Sequence, residues 1–222
     1  MAMIKFVAPA LPLPPTEYNT QYQTDLIRIL RLYFNQLDST TPLVADYFKG
    51  RGDQLTNPHI SASDSTDQIA AGNNVPTQVK WDTLEVALGF TLTSNYAAPV
   101  YTGIYKIDYS LQFVNTSNEA HDVFVWLEVN GGIQVPDSTS RFTVPARKSV
   151  GNNGYLVAYS SVTFEVQAGD AIKLFWATPL AGNPTTPTDG VYMDHLPAQT
   201  VPYARPANPS AVGSITFVSA LP

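Results

Sequence analysis

The sequence lacks cysteine altogether and is poor in charged residues. With no cysteine among its 222 residues, the chain forms neither disulfide bonds nor thiolate metal sites. Charged residues make up 14% of it, against roughly a quarter in average soluble proteins. The net charge is −6, which argues against nucleic acid as a partner because duplex binding depends on clustered cations.

Long apolar runs and catalytic motifs are also missing. No apolar run approaches the roughly 20 residues that a membrane helix needs, so we expect no membrane association. The sequence contains no G-x-S-x-G, P-loop or H-E-x-x-H motif. Residues 193–195 and Asp189 could offer oxygen and imidazole ligands to a cation, but we interpret them as an ordinary surface loop. We therefore predict a protein that is not an enzyme and that binds no cofactor and no metal.

One helix is predicted, near the N-terminus, and a proline-rich arm precedes it. Four prolines within residues 9–15 exclude a helix there. Thr20 and Gln23 have the spacing of a capping box, which predicts that the helix begins at Thr20. Apolar residues follow at the heptad-like spacing of a helical seam, and a helix this short is marginal alone in water. The anchoring or oligomerisation seam that we predict consists of Leu26, Leu30, Tyr33 and Leu37.

The rest of the chain has the pattern of strands and turns. Residues 103–115 alternate strictly, with Tyr105, Ile107, Tyr109, Leu111 and Phe113 on one face. Residues 121–129 are apolar on both faces, which indicates a strand that is covered on both sides, by the core and by a neighbouring subunit. Residues 181–210 contain six prolines and are predicted to form a long loop. About eight short strands with regular turns indicate an all-β sandwich or jelly roll.

These patterns divide the chain into three segments. We predict an N-terminal anchoring arm and helix over residues 1–39, a linker over residues 40–58, and a C-terminal jelly-roll domain over residues 59–222. A linker is indicated by the Gly, Pro and polar residues of "TTPLVADYFKGRGDQLTNP".

Several stretches resemble the C1q/TNF-like jelly-roll family. They are "TGIYKIDYSLQF", "AGDAIKLFW" and the closing "SITFVSALP", which are similar to the Gly-x-Tyr strand, the late Gly-Asp strand and the last strand of that family. The resemblance implies compact trimers with aromatic interfaces. The residues that it would place between subunits are taken from Tyr105, Tyr109, Phe124, Trp126, Phe175 and Trp176.

The lead-in "DQIAAGNNVPTQVKWDTLE" and the N-terminal "LPLPP…LIRILRLYFNQLD" are similar to segments of bacteriophage virion proteins with such domains. This resemblance implies a structural protein on the surface of a virion: a homotrimeric capsid decoration or head-fibre protein, docked on other virion proteins through its N-terminal segment. A tail-fibre or receptor-binding tip and a carbohydrate-binding module are the alternatives. A host-surface glycan would then contact the long loop, through Tyr192, His195, Tyr203 and Arg205.

Overall fold

The computed structural model describes residues 4–5, 17, 19–37, 43–44, 57–93, 96–186, 188–219 and 221. The chain forms two compact units, residues 1–50 and residues 51–222. The boundaries predicted at residues 39 and 58 remain predictions.

The N-terminal unit contains one helix, α1 (Thr20–Leu37), and a parallel pairing of β1 (Ile4–Lys5) with β2 (Leu43–Val44). The helix begins at Thr20 as predicted, but the residue whose side chain caps it is Asn19 and not Thr20. Asn19 is the N-cap, because its Oδ1 accepts hydrogen bonds from the backbone N–H groups of Gln21 at 2.8 Å and Tyr22 at 3.3 Å. Asparagine is among the best N-cap residues, so the capping-box assignment to Thr20 is corrected by one position.

The surface of α1 is only partly covered. Leu26 and Leu30 are half-buried, whereas Ile27 and Phe34, one heptad apart, are exposed. Of the predicted seam, the side chains of Tyr33 and Leu37 lie outside the described residues, so the seam remains a prediction. Among the described residues, no helix has the length and apolarity to cross a membrane.

The second unit is a sandwich of two antiparallel sheets. The front sheet has the strand order β12-β8-β15-β3-β5, with β14 also paired to β8. The back sheet has the order β10-β9-β13-β7-β6, with β11 paired to β9 and β4 to β13. Within the described residues the strands are β3 (His59–Asp64), β4 (Thr77–Gln78), β5 (Thr83–Leu88), β6 (Phe90–Thr93), β7 (Tyr96–Pro99), β8 (Gly103–Asn115), β9 (His121–Val129), β10 (Ile133–Gln134), β11 (Ser140–Val144), β12 (Gly154–Val166), β13 (Ile172–Ala177), β14 (Val191–Met193) and β15 (Ala211–Ser219).

The chain crosses repeatedly between the two sheets, and the first and last strands of the sandwich lie side by side. β3 enters next to β15, the final strand, and β15 lies between β3 and β8. This order is that of a jelly roll. The predicted fold class, an all-β jelly-roll sandwich preceded by one helix, is confirmed.

Strand β8 shows how the sequence pattern builds the core. Its inward residues Tyr105, Ile107, Tyr109, Leu111 and Phe113 are all buried, as the period of two predicts. The core between the sheets closes with Trp176 of β13, whose ring centroid lies 5.4 Å from that of Phe113. Thirteen residues of β8 pair in register with β12, so the front sheet presents a long outer face.

The segment 181–210, predicted to be a long loop, contains a strand and further backbone pairing. It contains β14, which is buried and extends the front sheet beside β8. Backbone hydrogen bonds in both directions then join Leu196 to Asn208 and Gln199 to Arg205, which makes residues 196–208 a hairpin-like projection. The six prolines indicate a loop because proline lacks the N–H that a strand donates. The residues between the prolines keep their N–H groups, and these groups form the pairing.

Candidate assembly surface

The outer face of the front sheet carries exposed apolar side chains on its edge strand, β12. The side chains of β12 alternate between core and solvent. Tyr155, Val157 and Tyr159 point outward, with exposed fractions of 61%, 57% and 61%. We call these three residues the front stripe. Single exposed apolar residues are common on protein surfaces, but a contiguous group marks a contact with another molecule.

The register of the strands shows what lies beside the front stripe. Tyr155 lies opposite Val114 of β8, and Val114 lies opposite Tyr192 of β14. Residues directly opposite in antiparallel strands share one face, but Val114 and Tyr192 are only 2% and 7% exposed. Val157 and Tyr159 lie opposite the polar residues Gln112 and Ser110. The exposed apolar surface on this side of the sheet is therefore the front stripe itself, along β12.

At Tyr159 the front stripe ends beside polar and charged side chains. The Tyr159 hydroxyl donates a hydrogen bond to Asp108 Oδ1 at 3.0 Å, and Lys106 Nζ lies 3.0 Å from the same oxygen. Burial acts to raise the pKa of Asp108, but hydrogen bonds from Lys106, Tyr159 and Ser161 together bring it below its usual range. The carboxylate thus fixes the orientation of the Tyr159 ring.

The pKa of a second carboxyl group near the front stripe, that of Asp194, shifts in the opposite direction. Burial, and after it the nearby charge of Asp67, raises the pKa of Asp194, while His195 acts against this rise. Burial, reinforced by Asp194, Asp67 and Tyr155, also raises the pKa of Tyr192 to about 12. The backbone N–H of His195 donates to Asp67 Oδ1 at 2.8 Å. This end of the front face therefore disfavours negative charge.

The outer face of the back sheet also carries aromatic residues, in a more charged setting. Trp126 and Phe175 are paired across β9 and β13, and their rings stack with centroids 6.0 Å apart at 18°. Trp126 Nε1 donates to Glu128 Oε1 at 3.0 Å. Phe124 of β9 is exposed on the same face. We call Phe124, Trp126 and Phe175 the back aromatic group.

Half of the aromatic residues predicted at a subunit interface lie elsewhere. Tyr105, Tyr109 and Trp176 are 0–1% exposed and fill the core of their own chain. They are on the inward faces of β8 and β13, and the prediction that some of the six residues lie between subunits remains a prediction. For the back aromatic group, which is on the surface, an interface role remains a prediction.

The four residues of the predicted ligand loop occupy different elements. Tyr192 is buried in β14 and His195 follows that strand. Tyr203 is exposed within the hairpin-like projection, where the Arg205 guanidinium donates to the Pro206 carbonyl. They do not form a single described site, and their role in ligand binding remains a prediction.

The front stripe was missed at the sequence level although a signal for it exists. Residues 155–159 read Tyr-Leu-Val-Ala-Tyr, so they are apolar on both faces of the strand, like residues 121–129. After Tyr159 the outer face of β12 becomes polar, with Ser161, Thr163 and Glu165 at its exposed positions, so the apolar pattern is confined to the first half of the strand.

Comparisons with known proteins add little beyond the fold. No family model matches the sequence, and no curated protein matches it. Among solved structures, the chain is similar to murine APRIL, with 15% identity and a TM-score of 0.42, over 72% of this chain and 99% of that one. Because the score is low, the jelly roll is assigned from its own strand order. Among the described residues, no group of three or more His, Asp or Glu side chains is arranged to hold a metal ion.

Proposed function

We propose that this protein is a non-enzymatic structural component of a bacteriophage virion. Its jelly rolls associate as a homotrimer through the front stripe, and its N-terminal segment docks the trimer on other virion proteins at the particle surface. A capsid-decorating or head-fibre role is favoured. The observation that carries the self-association is the contiguous, uncharged group formed by Tyr155, Val157 and Tyr159 on the outer face of β12.

Charge supports the front stripe over the back aromatic group as the interface. The centres of protein interfaces are depleted of charged residues and enriched in tyrosine. The front stripe contains two tyrosines and a valine. Lys106 and Asp108 neutralise each other at its rim, and burial raises the pKa of the other nearby carboxyl group, that of Asp194. On the back face, Glu128 is hydrogen-bonded to Trp126 itself, and Asp122 and Arg141 form an ion pair on the same sheet.

The number of subunits and the virion context come from the sequence resemblance. C1q/TNF-like jelly rolls are trimers, and the N-terminal arm and helix are similar to segments of phage virion proteins. The exposed Ile27 and Phe34 on α1 suit a helix whose apolar side binds a groove or a bundle. Three such segments on one trimer would bind together, so that weak individual contacts become firm.

Light scattering coupled to size-exclusion chromatography tests the assembly. The full chain is expected at three times the 24.2 kDa of one chain. Val157→Glu places a charge in the middle of the front stripe and should give a monomer. Phe124→Glu, the matched change on the back face, should leave the trimer intact. A monomeric wild-type protein at micromolar concentration would contradict the trimer, and dissociation by Phe124→Glu alone would move the interface to the back face.

The virion role has a separate test. Particles carrying the labelled full chain should show it at their surface by electron microscopy, and removal of residues 1–40 should abolish incorporation while the jelly roll stays folded. The alternative, a carbohydrate-binding module, predicts that the shortened chain remains active in binding and that the wild type is a monomer.

A further inference from the structure

A polar cavity opens at one end of the sandwich. It lies between the turn that joins β11 to β12 and the segment that leads into β14, and its volume is about 270 Å³. Most of its wall consists of hydrogen-bonding residues, and Tyr192, Pro184 and Gly151 complete the lining. The hydrogen-bonding residues are Thr116, Arg147, Asn153, Asn183, Thr188 and Asp189.

The segment on one side of the cavity is fixed by its own hydrogen bonds. Asn183 Oδ1 accepts from the backbone N–H of Thr185 at 2.9 Å and of Thr186 at 3.3 Å. The Thr116 hydroxyl and the backbone of Gly190 exchange hydrogen bonds in both directions, at 3.2 and 3.0 Å. This wall is therefore tied to the end of β8.

The turn between β11 and β12, on the other side of the cavity, is also held by hydrogen bonds. The backbone N–H of Lys148 donates to the Asn152 carbonyl, and the N–H of Asn152 donates to the Ser149 carbonyl, both at 2.9 Å. Arg147, just before the turn, donates its backbone N–H to the Ser117 carbonyl at 2.8 Å. A cavity between two fixed walls needs little ordering when a ligand binds, which favours affinity.

The cavity offers donors and acceptors without net charge. Arg147 Nη1 lies 3.0 Å from Asp189 Oδ1, and the arginine side chain is only 24% exposed. The guanidinium keeps further N–H donors beyond this pair. Asn153 is half-buried, and no described residue hydrogen-bonds its side chain, so its amide presents both donors and an acceptor.

We propose that this cavity binds one unit of a neutral saccharide. A sugar presents alternating hydroxyl donors and acceptors, which match the amide of Asn153 and the paired Arg147 and Asp189. An anion is disfavoured because Asp189 already neutralises the arginine and the chain carries a net charge of −6. The volume is close to the lower end, about 300 Å³, of pockets for small ligands, which fits one sugar unit. The cavity is built from one chain, so the inference goes beyond the proposed assembly and does not depend on it.

Saturation-transfer NMR on the full chain tests this inference. The probes are the methyl glycosides of glucose, galactose, mannose and N-acetylglucosamine, with inorganic phosphate as an anionic competitor. We expect transfer to at least one glycoside, with a millimolar dissociation constant, and no displacement by phosphate. Asn153→Ala should weaken binding at least tenfold. Asn152→Ala changes an exposed neighbour on the same turn that does not line the cavity, and it should bind like the wild type.

Three results would overturn the inference. They are the absence of transfer to all four glycosides, equal binding by the Asn153 and Asn152 variants, and displacement of the sugar by phosphate. Should Asn153→Ala not fold, Arg147→Lys keeps the positive charge but removes most of the donors, and binding that survives it unchanged also overturns the inference. Light scattering on the same samples separates the two proposals, since a trimer that binds no sugar contradicts only this one.

Discussion

The two outer faces of the sandwich carry similar aromatic content in different electrostatic settings. On the front face, Tyr155 and Tyr159 flank Val157, Lys106 and Asp108 form an ion pair at the edge, and burial raises the pKa of Asp194. On the back face, Trp126 stacks on Phe175 and hydrogen-bonds Glu128. The front side chains stand out from the strand, whereas the back rings cover each other. Aromatic residues that are equally numerous on two faces can therefore differ in how well they suit a protein interface, because interface centres are depleted of charge.

The largest expected loss of stability comes from a substitution in the core, and it is compared with a substitution on the back face. Trp176→Ala removes a fully buried ring that packs on Phe113, and it should lower the free energy of unfolding by about 3–5 kcal/mol. Trp126→Ala, the matched change on the back face, removes a half-buried ring and should cost less, with the lost stacking on Phe175 contributing about 0.5–1.5 kcal/mol of the loss. Urea denaturation of both variants measures the difference. Equal losses would mean that the back aromatic group is as important to folding as the core.

A smaller effect on stability is expected from Asp194, the carboxyl group beside the front stripe. Because the pKa of Asp194 is raised in the folded chain, folding takes up a proton at pH values between the unfolded and folded pKa. Stability should therefore fall as the pH rises through that window, and the loss should persist at neutral pH. Asp194→Asn should remove this loss, so the variant should unfold at a higher temperature than the wild type at pH 7.

The pH profile supplies the control for Asp194. Below the unfolded pKa of an aspartate, the carboxyl is protonated in both states, and the variant and the wild type should have the same melting temperature. A variant that is less stable than the wild type at pH 7 would show that the Asp194 carboxylate makes a favourable contact that outweighs its burial.

The smallest effect is expected from Tyr159→Phe, a substitution that separates the contribution of the ring from that of the hydroxyl group. Tyr159→Phe keeps the ring of the front stripe and removes the hydrogen bond to Asp108. We expect the trimer to persist and the pKa of Asp108 to rise toward its usual value, as followed by NMR titration. If the variant dissociated, the hydroxyl rather than the ring would be the contact that matters.

Much of the fold could be predicted from the sequence, and little of the surface. The alternation in β8 identified five core residues, because burial on one face imposes a period of two. The burial of Trp176 could not be read from β13 alone, because its six residues place an aromatic ring on each face, Trp176 on one and Phe175 on the other. β14 was missed because three residues are too few to show a period. The cavity depends on Arg147, Asn153 and Asp189 meeting in space, which no spacing along the chain expresses.

The jelly roll also has two unlike poles. The chain enters β3 at His59 opposite Thr216 of β15, so the polypeptide arrives and departs at one pole. Asn115, with which Gly154 and Val191 pair, marks the other pole, where the polar cavity opens. A sensor surface coupled through the segment before β3 would hold every molecule in one orientation, with the cavity turned toward the flowing solution.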